Sequence, residues 1–479
     1  MARVAVIGAG FGGLTAAALA AKQGHEVILI EKNESIGGRA YVYNQSGYQF
    51  DMGPSWYMMP EVFEDFFKQF NKEVPYKLTR LDPSYKIFFK DETIDVHADL
   101  KKNLELFERL ETGGAEKLQK YLDQAKYQYD TAMKHFIYRP YLKHSDMLDI
   151  KLGLESLKLK LYKSMQSYVY KEFESDKARK ILLYTLVFLG GAPNKTPSLY
   201  SLMSHVDFNL GVYYPKGGMH AVAKAIAHEA ESHGVTIHLN EAVESINTKD
   251  GKATSISTNK NTYEVDAIIA NADYHHVETQ LLDAKDQTYP EKYWKKRTIA
   301  PSGLIITLGI NKKLPELDHH NLFFAHDWEK HFANIFENPD WPDNPSYYVC
   351  KPSHTDKKVA PKGCETLFIL VPVAANLDDT NREAYAQKII DHLETLIKTP
   401  LKEHIVEKGI FSHRDFTQRY NAYQGTALGL AHTLMQTASF RPRQQSQKIK
   451  NLYYAGQYTH PGIGVPMTVI SGEIAAKLL

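Results

Sequence analysis

Three groups of residues in this 479-residue chain have the types and spacing to do chemistry. The first is Gly8-Ala9-Gly10-Phe11-Gly12-Gly13, which follows the apolar run Val4–Ile7. Glu31 ends a second apolar run, Val27–Ile30, about twenty positions later. A strand, a Gly-x-Gly-x-x-Gly turn, a helix, a strand and an acid in that order can hold a dinucleotide. Gly8 allows the tight turn, and Gly10 lets the backbone approach a pyrophosphate. Gly13 lets the helix pack on the strand, and the helix N-terminus supplies free N–H groups and positive dipole. Glu31 can accept from ribose hydroxyls and would repel a 2′-phosphate, which disfavours NADP. The second group is Lys32 and Gly37-Gly38-Arg39, whose guanidinium can meet the same pyrophosphate. The third is the C-terminal loop Gly456-Gln457-Tyr458-Thr459-His460-Pro461-Gly462-Ile463-Gly464-Val465-Pro466-Met467. Its glycines let backbone pass close to a planar ring, and a new helix starts beside it.

These groups need elements to position them. The order of apolar runs and turns predicts an α/β protein with a Rossmann-like nucleotide domain built from separated pieces, residues 1–90, 212–275 and 405–479. The other domain, of α+β type, takes 91–211 and 276–404. Residues of about 100–210 are poor in glycine and carry helical periodicity, as in Lys101–Arg109 and Ala115–Phe136. Strands are expected at Gly303–Ile310 and Thr366–Val373, a hairpin at Tyr85–His97 and a helix at Arg382–Lys398.

Composition narrows the function classes. Apolar residues are 43% and charged residues 24%, as in a globular protein with ample core. A net charge of +1 gives no field for nucleic acid, so no nucleic-acid partner is expected. Cys350 and Cys364 have no metal-ligand or disulfide spacing and read as buried thiols. The adjacent pairs His275-His276 and His319-His320 would face opposite sides of a strand. They read as surface residues, and no metal is expected. No secretory leader is expected before the first strand, and no apolar run outside the phosphate turn is long enough for a membrane span. Lys151–Lys180 mixes leucines, tyrosines and lysines. It reads as an amphipathic helix pair with solvated lysines, or as a basic aromatic face on anionic lipid headgroups.

The opening turn with Glu31 and Gly37-Gly38-Arg39 resembles the FAD-binding start of glutathione-reductase-type flavoproteins. A nicotinamide-binding domain would share the glycine turn but rarely the Gly-Gly-Arg extension. Four further stretches narrow the resemblance. They are Gly190-Gly191-Ala192-Pro193 with Ser198-Leu199-Tyr200, Gly211 to Met219, Gly425 to Leu430 with Phe440-Arg441-Pro442, and Thr459-His460-Pro461-Gly462-x-Gly464-Val465-Pro466. Over nearly its whole length the chain resembles carotenoid desaturases of the phytoene-desaturase type, including hydroxycarotenoid 3,4-desaturases.

That resemblance implies non-covalent FAD. Gly8, Gly10, Phe11, Gly12, Gly13, Glu31, Lys32, Gly38 and Arg39 would hold its ADP half. Val243 would lie along the adenine, and Asn271 would be a further cofactor contact. Ser55, Trp56, Gly456, Gln457, Gly464, Val465 and Met467 would surround the ribityl chain and ring. Many amine oxidases have Asp where Gln457 stands; carotenoid desaturases often do not. Desaturation removes a hydride and then a proton, so it needs alignment and a dry channel more than an acid–base dyad. Asp146, in Ser145-Asp146-Met147-Leu148-Asp149, could assist proton loss, or could simply start a helix; family members with Asp-Met-Leu-Arg carry an Arg where Asp149 stands. A hydroxycarotenoid 3,4-desaturase is expected, with a phytoene- or lycopene-type desaturase as the alternative. More distant alternatives are a non-covalent amine or protoporphyrinogen oxidase and a prenyl-binding protein without flavin. A carotenoid substrate further implies a helical, membrane-facing insert and peripheral attachment to the inner, cytoplasmic face of the membrane. Oxygen or quinone would be the electron acceptor.

Overall fold

A computed structural model describes residues 1–142, 163–325 and 327–479. The expected proton-loss residue Asp146 and much of the lysine-rich stretch lie outside the described residues.

A five-stranded sheet forms the nucleotide half. Its order is Leu452–Tyr454, Ala267–Ala270, Arg3–Ile7, Glu26–Ile30 and Thr236–His238. Every neighbouring pair is parallel. A parallel sheet must be covered on both faces, so its central strands read as near-continuous apolar runs, with polar residues at the strand starts and in the edge strand Thr236–His238. Ala267–Ala270 is fully buried. The alanine-rich helix Phe11–Lys22 covers one face with the helices Met219–Ser232 and Val465–Lys477. Its small side chains favour helix and permit close packing.

The second half is a seven-stranded sheet ordered Ile405–Phe411, Ser302–Ile310, Glu365–Val373, Tyr347–Cys350, His320–Phe323, Tyr85–Phe88 and Thr93–Val96. All pairings are antiparallel except His320–Phe323 with Tyr85–Phe88. The hairpin before residue 97 and the strand at 405–411 therefore pair with this sheet. The sequence boundaries near 90 and 405 had put Tyr85–Phe88 and Ile405–Phe411 with the nucleotide pieces, and Thr93–Val96 with the other domain. Local alternation identifies strands but not their partners, and pairing sets the boundary.

Period two splits the side chains of this sheet. Leu304, Ile306, Leu308, Val349, Leu367, Ile369 and Val371 pack with the helix Arg382–Ile397. Ile305, Tyr348, Phe368 and Leu370 face the opposite way, into a cavity. Helices Leu100–Leu110, Gly114–Ala132, Met165–Glu172 and Asp176–Leu183 pack nearby. Asp99, Ser164 and Ser175 cap three of them through backbone N–H groups. Among the described residues, no helix is long and apolar enough to cross a membrane.

Candidate functional site

The loops leaving four parallel strands meet at one edge of the five-stranded sheet. Gly8 follows Ile7, Glu31 follows Ile30, Asn271 follows Ala270, and Gly456 lies just past Tyr454. Backbone bonds stitch them together: Gly8 N donates to Ile30 O at 2.8 Å, Asn271 N to Ile7 O at 2.8 Å, and Ala455 N to Ala270 O at 3.0 Å. The carboxyl edge of a parallel sheet is where such folds bind ligands, because the loops diverge there. Here they open on a cavity of about 650 Å³.

Gly8 has φ +97°, which a side chain would strain. A Cβ on Gly13 would collide with the Gly8 carbonyl oxygen, so Gly13 shapes the turn from behind and does not line the cavity. Glu31 is 5% exposed and borders the cavity. Its carboxylate accepts from Ala9 N at 2.8 Å, Asn33 N at 2.9 Å and Asn33 Nδ2 at 2.8 Å. A carboxylate offers about four acceptor sites, so capacity remains for a hydroxyl.

Two helix N-termini open on the same space. Neither the first helix, capped by Gly10, nor the last, capped by Gly464, has a side-chain cap. Gly10, Phe11, Gly12, Gly464, Val465 and Met467 border the cavity, bringing uncapped N–H groups and positive dipole ends. Asn271 Nδ2 donates to Gly8 O at 3.3 Å and ties the loops together. Arg39 stacks its guanidinium 5.1 Å from the Tyr420 ring centroid, and its Nε is buried with no hydrogen-bond partner. A buried cationic N–H without an acceptor is costly, and a phosphate would complete it. Together these features fit a dinucleotide such as FAD.

The remaining expected contacts sort themselves by position. Val243 and Gly38 border the cavity. Lys32 also borders it, but its Nζ donates to Gln418 O at 2.7 Å and Asn421 Oδ1 at 3.0 Å, so it closes the wall. Ser55, Trp56 and Gln457 line the opposite part. Gly456, with φ +107°, bends the loop without lining the cavity; its N–H donates to Ser471 Oγ at 3.0 Å.

Past the C-terminal loop the walls become apolar. Ile305, Phe368 and Leu370 supply the sheet side, and Met133, Phe136 and Leu199 face them from the helical side. Leu434 and Phe440 stand at the exposed end, 47% and 37% accessible. His460 holds this wall to the loop, sharing Nε2 between the Phe136 and Ile137 carbonyls at 3.1 and 3.0 Å.

Several of these residues were not legible as functional. Arg441 belongs to a recognised motif, yet its role is visible only in three dimensions. It is 3% exposed and donates to the carbonyls of Tyr458, Thr459, Gln436, Leu430 and Gln457. Burial lowers its pKa to about 10, so it stays charged at neutral pH. The histidines expected at the surface are not there. His319 and His320 are 2% and 0% exposed, bonded to Thr355 Oγ1 at 2.7 Å and Tyr348 Oη at 2.6 Å. His275 and His276 are half-buried on a short helix, and His275 contacts Glu291 at 2.7 Å. Alternation fails because neither pair lies within a two-sided strand: His319 precedes its strand. Cys350 is buried as expected, but Cys364 is only partly so.

Residues 11–479 match the family described as flavin containing amine oxidoreductase. A carotenoid 3,4-desaturase of Haloarcula japonica is 45% identical, over 99% of this chain and 97% of that protein. A zeta-carotene-forming phytoene desaturase of Myxococcus xanthus is 32% identical, over 100% of this chain and 93% of its own length. Among solved structures, an oxidoreductase from Methanosarcina mazei superposes with a TM-score of 0.65 at 17% identity, over 98% of this chain and 99% of that one. The last comparison speaks to fold alone.

Proposed function

The chain belongs to the flavin-containing amine oxidoreductase family and is an FAD-dependent oxidoreductase, and we propose that it is a carotenoid desaturase acting at the 3,4-position of a hydroxylated carotenoid. The observation that carries this reading is the single cavity joining the dinucleotide loops to an apolar chamber. The full-length similarity to a carotenoid 3,4-desaturase supports the regiochemistry.

Bound FAD supplies the two-electron acceptor that takes hydride from a saturated carbon. The chain's own residues do the rest. Gly8, Gly10, Gly12, Glu31 and Arg39 would grip the ADP half, while Ser55, Trp56, Gly464, Val465 and Met467 would surround the ring end. The uncapped N-terminus of Val465–Lys477 borders the cavity, and its partial positive charge would favour the electron-rich reduced state of a flavin held there. Ile305, Phe368, Leu370 and Met133 exclude water and align the polyene. Each buried CH₂ contributes roughly 0.8 kcal/mol, so an equally apolar chamber is needed to draw such a substrate from lipid.

The finer expectations belong to the same proposal. The nucleotide domain is of the glutathione-reductase type, and the part that meets the membrane is the insert of about 100–210, whose described residues include the helices Gly114–Ala132 and Met165–Glu172. The protein sits peripherally on the inner, cytoplasmic face of the membrane and passes electrons to oxygen or quinone. Exposed Leu434 and Phe440 at the chamber mouth, with exposed Met435 next to Leu434 in the chain, support a lipid contact.

The FAD-loaded protein should be incubated separately with phytoene and with a 1-hydroxycarotenoid. A red shift of the absorption maximum only with the hydroxylated substrate is expected, because each new conjugated bond lowers the excitation energy. Conversion of phytoene alone would favour the phytoene-type alternative, and no conversion of either would remove the desaturase reading.

A further inference from the structure

We propose that Tyr348 and His320 carry away the proton the substrate loses, through a buried relay running from the large cavity toward a small cavity bordered by His319 and Asp51. This rests on the desaturase reading above.

Tyr348 lines the large cavity beside Ser55 and Trp56. Its Oη lies 2.8 Å from Ser55 Oγ and 2.6 Å from His320 Nδ1. His320 is wholly buried, with its ring stacked on Trp56 at 4.2 Å and 6°. Its Nδ1 is held by Tyr348, while its Nε2 is buried with no partner. The His319 ring lies 4.5 Å away, and its Nε2 also has no partner.

Next to His319 is a cavity of about 10 Å³, bordered by Asp51, Ser55, Tyr214, Cys350 and Thr366 among others. Asp51 Oδ1, Tyr214 Oη and Thr366 Oγ1 are buried without partners. Buried polar atoms are rarely left unpaired, and this space matches one water molecule with several polar neighbours. Polar groups thus continue from the substrate chamber into the protein, where apolar side chains would otherwise be expected. Burial raises the Asp51 pKa to about 7, so its carboxylate can take a proton near neutrality.

The step balances as follows. The substrate carbon has already given up hydride. A C–H bond on the adjacent carbon then breaks, and its electron pair becomes the second bond of the new C=C. The proton goes to Tyr348 Oη as the Tyr348 O–H proton moves to His320 Nδ1. His320, protonated at Nε2 beforehand, passes that proton on past the neighbouring His319 ring toward the small cavity that His319 borders, where the Asp51 carboxylate takes it, and ends neutral. Tyr348, which meets substrate, is the catalytic residue; His320 acts through it.

Tyr348→Phe removes only Oη. In the FAD-loaded enzyme it should lower kcat by about 100-fold, the usual worth of a placed acid–base group. KM and flavin content should be unchanged, and the solvent deuterium isotope effect on kcat should change. His320→Asn should behave similarly. Independently of activity, ¹⁵N-histidine NMR should show His320 Nδ1 as an acceptor whose resonance moves in Tyr348→Phe. Unchanged kcat and isotope effect in a flavin-loaded Tyr348→Phe protein would overturn the relay, as would an unmoved His320 resonance. Stoichiometric zinc in the purified protein would overturn it too. One ligand atom from each of His319, His320 and Cys350 lies within 4.8 Å of the others, and a metal would then hold them. If wild type desaturates no carotenoid, the function reading fails, while the NMR result still decides whether Tyr348 donates to His320.

Discussion

Asp207 shows what burial does to a single charge. It is 3% exposed, and its Oδ2 accepts from Tyr85 Oη at 2.8 Å and Tyr184 Oη at 3.0 Å. Two neutral donors do not offset desolvation, and the carboxyl pKa is raised to about 7. The unfolded chain releases this proton near the ordinary carboxylate value and the folded chain near 7. Between those values the folded state holds the extra proton, so stability falls as pH rises across that window and levels off above it. Asp207→Asn keeps an acceptor without the charge. Denaturant unfolding at pH 8 should find it more stable than wild type, by up to about 4 kcal/mol. At pH 5 the difference should be less than half as large, and below about pH 4 it should vanish. No sequence pattern marks Asp207: Tyr85 lies 122 positions away, and Tyr184, though only 23 away, shares no recognisable motif with it. Glu31 was legible because its partners, Ala9 and Asn33, come from the same local strand–turn–helix–strand unit.

At the scale of elements, the C-terminal loop depends on Arg441. Five carbonyls from three stretches of chain point at one guanidinium. Arg441→Met fills similar space but leaves those carbonyls unpaired. It should destabilise the fold by at least about 3 kcal/mol, measured as a lower denaturant midpoint, and should reduce bound flavin. The loop's glycines and the last helix could be read from sequence, since turn chemistry is local. The clamp could not, because an arginine in a motif does not reveal which backbone it serves. The seven-stranded sheet behaves likewise. Ser302–Ile310 and Glu365–Val373 are apolar runs of strand length, but their register is a tertiary fact.

At the scale of the molecule, the mouth of the apolar chamber is bordered by Leu434 and Phe440, 47% and 37% exposed, and Met435, next to Leu434 in the chain, is 61% exposed. A membrane contact at this mouth would pass substrate without crossing water. Replacing all three with Ser should weaken co-sedimentation with liposomes, while flavin content and melting temperature remain near wild type. The loss should persist at high salt, because apolar insertion is not screened as charge attraction is. Salt-sensitive binding unaffected by the triple change would instead point to the lysine-rich stretch 151–180.

The amino-acid sequence alone determined the nucleotide turn, its acid, the arginine extension and the C-terminal glycine loop. Each of these is encoded by neighbours within a few tens of residues, where backbone freedom and periodicity act directly. Tertiary structure alone decided that the hairpin at 85–96 joins the distant sheet, that His319 and His320 are buried, and that Tyr348 faces the chamber. Those outcomes depend on which apolar faces meet, and burial is a property of the partner surface as much as of the residue itself.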